Sequence, residues 1–264
     1  MSELKISRYL KEYYHLKEDS VYETEYIDAK RLLVPGRFDL GAKLYYIQAV
    51  MENRNRTLAE VLYGEHILAF QDGIVQEAGN PEKSGMDRYF RTFDRLIEVF
   101  RSGSFDSEEE WIPVDQSGQI LDGAHRTACA VYFNRKVKIV RLHSVKGRTF
   151  DYRFFRNRGL AKGYQEMMVA ALVRYSDNIR MSYGAKKVMQ NDIFYKGRIL
   201  LVCGQSESKE RDQIEKVLNI QGKEQAGGIV ISPGEVFRIK VIRFVRGKYT
   251  RLVLWMKKKL GMPV

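Results

Sequence analysis

Apolar and polar positions alternate along this chain in two distinct rhythms. Tyr9, Leu10, Tyr13 and Tyr14 predict a short helix within residues 1–34, followed by extended chain into Leu32-Leu33-Val34. Pro35-Gly36 breaks that run. Over residues 37–70, Leu40, Leu44, Ile47 and Val50 recur at helical spacing, and Leu58, Val61, Leu62, His66 and Phe70 do so again. Residues 73–85, rich in Gly, Asn, Pro and Glu, read as a loop. Residues 86–100 read as an amphipathic helix burying Tyr89, Phe90, Phe93, Leu96, Ile97 and Phe100. Two short apolar runs follow, Trp111-Ile112-Pro113-Val114 and Gln119-Ile120-Leu121, split by Asp115-Gln116-Ser117-Gly118. That is the pattern of a β-hairpin. It feeds a helix running apolar through Ala128, Ala130, Val131 and Phe133, and then a strand over 137–142.

A helix over 164–175 follows, and a second α/β pattern comes after it: strand 199–203, helix 210–218 and strand 228–231. The fold class expected is α+β. The chain divides into an N-terminal helix and extended arm (1–36), a core (37–175), a small α/β appendage (176–235) and a basic amphipathic tail (236–264).

Composition excludes several classes. Hydrophobic content of 44% and charged content of 30% are ordinary for a soluble globular protein. No apolar stretch approaches a membrane span, and Met1-Ser2-Glu3-Leu4-Lys5 is no signal peptide, so a cytoplasmic location is expected. Cys129 and Cys203 sit far apart in apolar contexts, as buried free thiols, and no CxxC or HxxxH spacing supports zinc. The net charge of +12 is concentrated: residues 236–264 carry nine Lys or Arg and no acid. Trp255 and Leu252-Val253-Leu254 lie among those charges, which suits a helix peripheral to an anionic membrane surface. A solvated helix packed on the body by its apolar face is the alternative.

The densest chemistry lies in Asp122-Gly123-Ala124-His125-Arg126-Thr127. Gly123 permits a sharp turn, the helix start supplies unpaired N–H groups, and His125 and Arg126 add donors and charge suited to a phosphate. Asp122 would hold Mg²⁺ or a substrate hydroxyl, or simply cap the helix.

Residues 120–128 resemble the (D/N)GxHRxxA signature of the ParB/sulfiredoxin superfamily. The closer resemblance is to its small-molecule kinases, such as free-serine kinases, and to its members from bacterial surface-polysaccharide clusters. It covers about residues 80–142, with weaker echoes from Arg37 to Arg174. It implies a mixed sheet with flanking helices and a kinase using ATP or ADP with Mg²⁺, acting on a hydroxyl of a sugar or small metabolite. Catalysis falls to Asp122, His125 and Glu82. Nucleotide binding falls to Gly123, Ala124, His125, Arg126, Thr127 and Lys83, and the metal to Asp122. Glu77 rivals Glu82 as the base.

Arg37, Asp39, Lys43 and His66 form a second constellation, similar to the RFD…K and Y..H segments of the polysaccharide-cluster proteins, and would line the substrate cleft. Asp39 and Lys43 at i and i+4 equally suit a surface ion pair, and His66 a satisfied core residue. A ParB-like nucleotide switch or DNA-binding protein is the alternative function, disfavoured because the charge is confined to the tail and no helix-turn-helix follows the signature. A sulfiredoxin-like reductase would need a Cys where Ala124 stands.

Overall fold

The computed structural model describes residues 8–14, 22–77, 80–143, 145–177, 179–183, 193–195, 199–203 and 233–260. Helix α1 (Arg8–Tyr14) precedes strand β1 (Tyr22–Asp28) and a 3₁₀ turn, Ala29–Leu32. Helices α2 (Leu40–Glu52) and α3 (Arg56–Phe70) follow, then strands β2 (Gln76–Glu77) and β3 (Asn80–Ser84) and helix α4 (Met86–Arg101). Next come β4 (Ile112–Asp115), α5 (Ala124–Tyr132), β5 (Lys136–Leu142), α6 (Tyr152–Arg156) and α7 (Lys162–Tyr175). Strands β6 (Ile179–Tyr183), β7 (Ile193–Tyr195) and β8 (Ile199–Cys203) form an antiparallel sheet in the order β6-β8-β7. Helix α8 (Pro233–Lys259) completes the described elements. The class is α+β, as the patterning predicts.

The main sheet is mixed, in the order β1-β5-β4. Central β5 runs antiparallel to β1, from Tyr22 opposite Leu142 to Asp28 opposite Lys136, and parallel to β4, with Ile112 opposite Ile139. Val137, Ile139, Val140 and Leu142 are all buried, as a strand flanked on both sides requires. Within the segment 1–36, β1 completes the sheet, and Ile27, Ala29, Leu32 and Leu33 are buried in the shared core.

Helix α2 is apolar on nearly every side, so burial is its only stable placement. It packs against α3, α5 and α7. Its backbone touches α7 at Gly41, where a Cβ would stand 2.1 Å from the Met168 carbonyl oxygen. Only glycine permits that approach.

The helical pattern expected over 37–70 is realised as two helices, α2 and α3. Asn53 and Asn55 both adopt left-handed φ (49° and 55°), a conformation asparagine tolerates, and α3 restarts beyond them. Residues 73–85 hold the β2–β3 ribbon rather than a plain loop. Helix α4 follows its periodicity: Tyr89, Phe93, Ile97 and Phe100 are buried, with Phe90 and Leu96 half-buried at the margin. The expected helix 210–218 and strand 228–231 lie outside the described residues.

Candidate functional site

The hairpin expected before the signature is present in compact form. β4 turns at Asp115, the Leu121 amide donates to the Pro113 carbonyl, and Val114 bridges Ile120. Asp115 builds this turn. Its carboxylate accepts from the amides of Ser117, Gln119 and Gly147 and from the Ser117 hydroxyl. Burial raises its pKa, yet those hydrogen bonds prevail and hold the carboxyl below its ordinary value.

The turn delivers Gly123, at φ 81°, as the N-cap of α5. The first helical bond runs from the Thr127 amide to the Gly123 carbonyl, and the Thr127 hydroxyl donates to the same oxygen. No side chain caps the helix. The capping alternative for Asp122 is therefore not realised. Asp122 stands one residue too early, about half exposed, with its carboxylate 3.7 Å from an Arg126 nitrogen. The Arg126 guanidinium lies across Gly123 and donates to Glu110 and to the Trp111 carbonyl. A Cβ at position 123 would meet Arg126 Nη2 at 3.0 Å, a second reason for glycine there. Glu110 was not legible as a partner, because it reads as one of a run of exposed acids.

His125 is positioned from two helices. The Tyr63 hydroxyl of α3 and His125 Nε2 share a 2.7 Å hydrogen bond, and the Phe93 ring of α4 meets the imidazole edge-on at 4.7 Å. Tyr63 is fully buried and packs at tilted angles against the rings of Tyr46, Phe90 and Phe93. A buried tyrosine needs a partner for its hydroxyl, and His125 supplies one.

Arg37, Asp39 and Lys43 make no surface ion pair. All three are buried, at 3%, 1% and 3% exposure. Arg37 grips both Asp39 oxygens at 2.8 Å, and Lys43 Nζ donates to Asp39 Oδ2 at 3.2 Å. The remaining Arg37 nitrogen donates to the Ile120 carbonyl at 2.6 Å, two residues before Asp122. Burial acts to raise the Asp39 pKa, but the two cations outweigh it and hold the carboxyl far below its ordinary range. Two cations on one anion leave the cluster net positive.

His66 is not a satisfied core histidine. It is 1% exposed and neither ring nitrogen has a hydrogen-bond partner, while its ring lies 5.1 Å from Phe155 and 6.2 Å from Tyr63. Burial, aided by the Lys43 charge, pushes its pKa well below the ordinary value, so the ring is neutral.

The two constellations, remote in sequence, meet through Arg37 on Ile120 and Tyr63 on His125. Glu77 lies in β2, and Glu82 and Lys83 lie in β3, but their side chains are outside the described residues. Comparison with family models, curated proteins and solved structures yields no match. Cys129 is fully buried on α5 and burial pushes its thiol far up, so it offers no ready thiolate.

Among the described residues no group of three or more His, Cys, Asp or Glu gathers to hold a metal. A magnesium ion that keeps most of its waters and bridges to a phosphate needs only one or two carboxylates. Half-exposed Asp122 suits that mode.

Proposed function

We propose that this chain is a nucleotide-dependent phosphotransferase acting on a hydroxyl of a sugar or small metabolite, of the kind used in bacterial surface-polysaccharide assembly. One observation carries the reading: the helix start at Gly123, uncapped by any side chain, lies beside an oriented His125, an exposed Asp122 and the Arg126 guanidinium. An anion there meets the amides of Ala124 to Arg126 and the positive end of the α5 dipole. Phosphoryl transfer asks a protein chiefly for position and charge stabilisation, and these groups provide both. Mg²⁺ on Asp122 would neutralise phosphate charge. His125, held by Tyr63 and Phe93, donates to the transferring group. The buried Arg37–Asp39–Lys43 cluster fixes the Ile120 end of the same loop, and through it the height of Asp122. Glu82 or Glu77 serves as base.

Arg126 is engaged by Glu110 and Asp122, so a nucleotide phosphate must compete with two carboxylates for it. Asp122, were it to hold Mg²⁺, would no longer compete for Arg126. Melting curves with ATP, ADP or CTP, each with Mg²⁺, test the proposal: at least one nucleotide should raise Tm in a concentration-dependent way. No shift with any of them, alone or with sugar acceptors, overturns it.

A further inference from the structure

Helix α8 carries its apolar and polar faces the opposite way round from an ordinary surface helix. Its inward positions are largely ionic: Glu235 accepts from Arg156, Arg243 pairs with Glu65, and Arg246 and Thr250 donate to Asp72. Among its described residues only Ile239 is buried. Its outward face carries an apolar stripe among exposed basic residues. Phe237, Val241, Phe244, Val245, Leu252 and Trp255 recur at three-, four- and seven-residue steps along one stripe, and all are exposed, Phe237 at 71%. A stripe of this size on one helix calls for a partner.

The surrounding charge selects which partner. Residues 236–260 contain nine Lys or Arg and no acid. Lys248 Nζ lies over the Phe244 ring at 4.5 Å and Lys259 Nζ over the Trp255 ring at 5.0 Å, so positive charge sits directly on the apolar stripe. We infer that the outward stripe of α8 docks on an anionic lipid surface, the helix lying in the interfacial plane with its body-facing ion pairs intact. The basic residues meet lipid phosphates while the aromatic side chains enter the acyl boundary. A second copy fits less well. Self-pairing of the stripe would press Lys248 and Lys259 against their own kind with no acid to meet them. Nucleic acid would use the charges but leave six apolar side chains without a partner. Among the described residues no helix is long and apolar enough to cross a membrane, so contact stops at the surface. This inference is independent of the phosphotransferase reading.

The test uses the full chain with vesicles of phosphatidylcholine alone and of phosphatidylcholine mixed with phosphatidylglycerol. Co-sedimentation should favour the anionic vesicles by about tenfold or more and weaken as salt rises. In a Trp111→Phe background, where Trp255 is the one remaining tryptophan, its emission should shift to the blue on anionic vesicles. Phe244→Glu with Trp255→Glu should abolish vesicle binding and leave Tm unchanged, since neither side chain is buried against the body. Equal binding to both vesicle types, no binding to either, or retained binding by the double variant overturns the inference. So does a concentration-dependent dimer, or a duplex-DNA shift at physiological salt, that the double variant abolishes while vesicles remain unbound.

Discussion

Replacing Asp39 with Asn tests whether the Arg37–Asp39–Lys43 cluster is as dry as its burial indicates. The carboxylate is 1% exposed and is the shared counter-charge of two cations that are themselves 3% exposed. The amide keeps the shape and removes the charge, leaving two cations together out of water. Breaking a buried ion pair by removing one partner costs about 3–5 kcal/mol. For 264 residues, an unfolding entropy of about 2.1 cal/mol/K per residue makes each kcal/mol worth about 2 °C. The melting temperature should therefore fall by about 6–10 °C. Adding Lys43→Met should recover stability rather than add a second loss, because one stranded cation is removed. Glu98→Gln, at the exposed pair with Arg101, is the control and should move Tm by less than about 2 °C. The pH dependence has a definite sign. The folded Asp39 pKa is depressed below its ordinary 3.8, so its contribution is complete above that value. It drains away as pH falls below about 4. Asp39→Asn should lack that portion of the acid limb. Reversible melts that place Asp39→Asn within about 2 °C of the parent would refute the buried-charge account.

Four further outcomes are expected, the first two resting on the proposed phosphotransferase function. Asp122→Asn, which removes no helix cap, should leave Tm within about 2 °C while lowering phosphoryl turnover by about 10²-fold or more. Arg126→Ala should weaken nucleotide affinity by about 1.5–3 kcal/mol in calorimetric titration. Gly41→Ala forces α2 and α7 apart at the Met168 carbonyl and should cost at least about 1–3 kcal/mol in urea unfolding, the usual penalty of overpacking. His66→Phe should be neutral or stabilising, since it removes two unpartnered nitrogens from a dry site. The His66 pKa is depressed when folded, so the parent loses stability as pH falls below 6.5. His66→Phe should flatten that limb, and an unchanged slope would show the ring to be hydrated.

Sequence patterning revealed the elements with a clear local rhythm. Helix α4 showed its buried face through Tyr89, Phe93, Ile97 and Phe100, and β8 showed as a short apolar run. β1 stayed hidden because it is a polar edge strand: Glu23, Thr24, Glu25 and Tyr26 are exposed and only Ile27 is buried. Hydrogen bonding to β5 makes it a strand, and no local pattern encodes that partner. The α2–α3 break was written in Asn53 and Asn55, whose tolerance of positive φ is a local property that helical periodicity ignores. At the site, the residues around Asp122 were recognisable as a linear motif. Tyr63 as the partner of His125, Phe93 as its wall and Glu110 as the anchor of Arg126 were not, since each comes from a distant element. The burial of Arg37, Asp39 and Lys43 was equally hidden, because i,i+4 spacing is the same on a wet face and a dry one.

The bond from Arg37 to the Ile120 carbonyl spans 83 residues, and it has a consequence in time. Together with β1 on β5, which joins Tyr22 to Leu142, it makes the centre of the molecule a product of high contact order. Such contacts form only after long loops have closed, and they slow folding accordingly. Until residues 112–121 arrive, Arg37, Asp39 and Lys43 remain hydrated and the Asp122 loop has no fixed floor. Once closed, the same linkage puts the floor of the loop inside the cooperative unit. Amides around Ile120 and Asp39 should exchange with deuterium only through global opening, while those of 122–124 exchange far sooner.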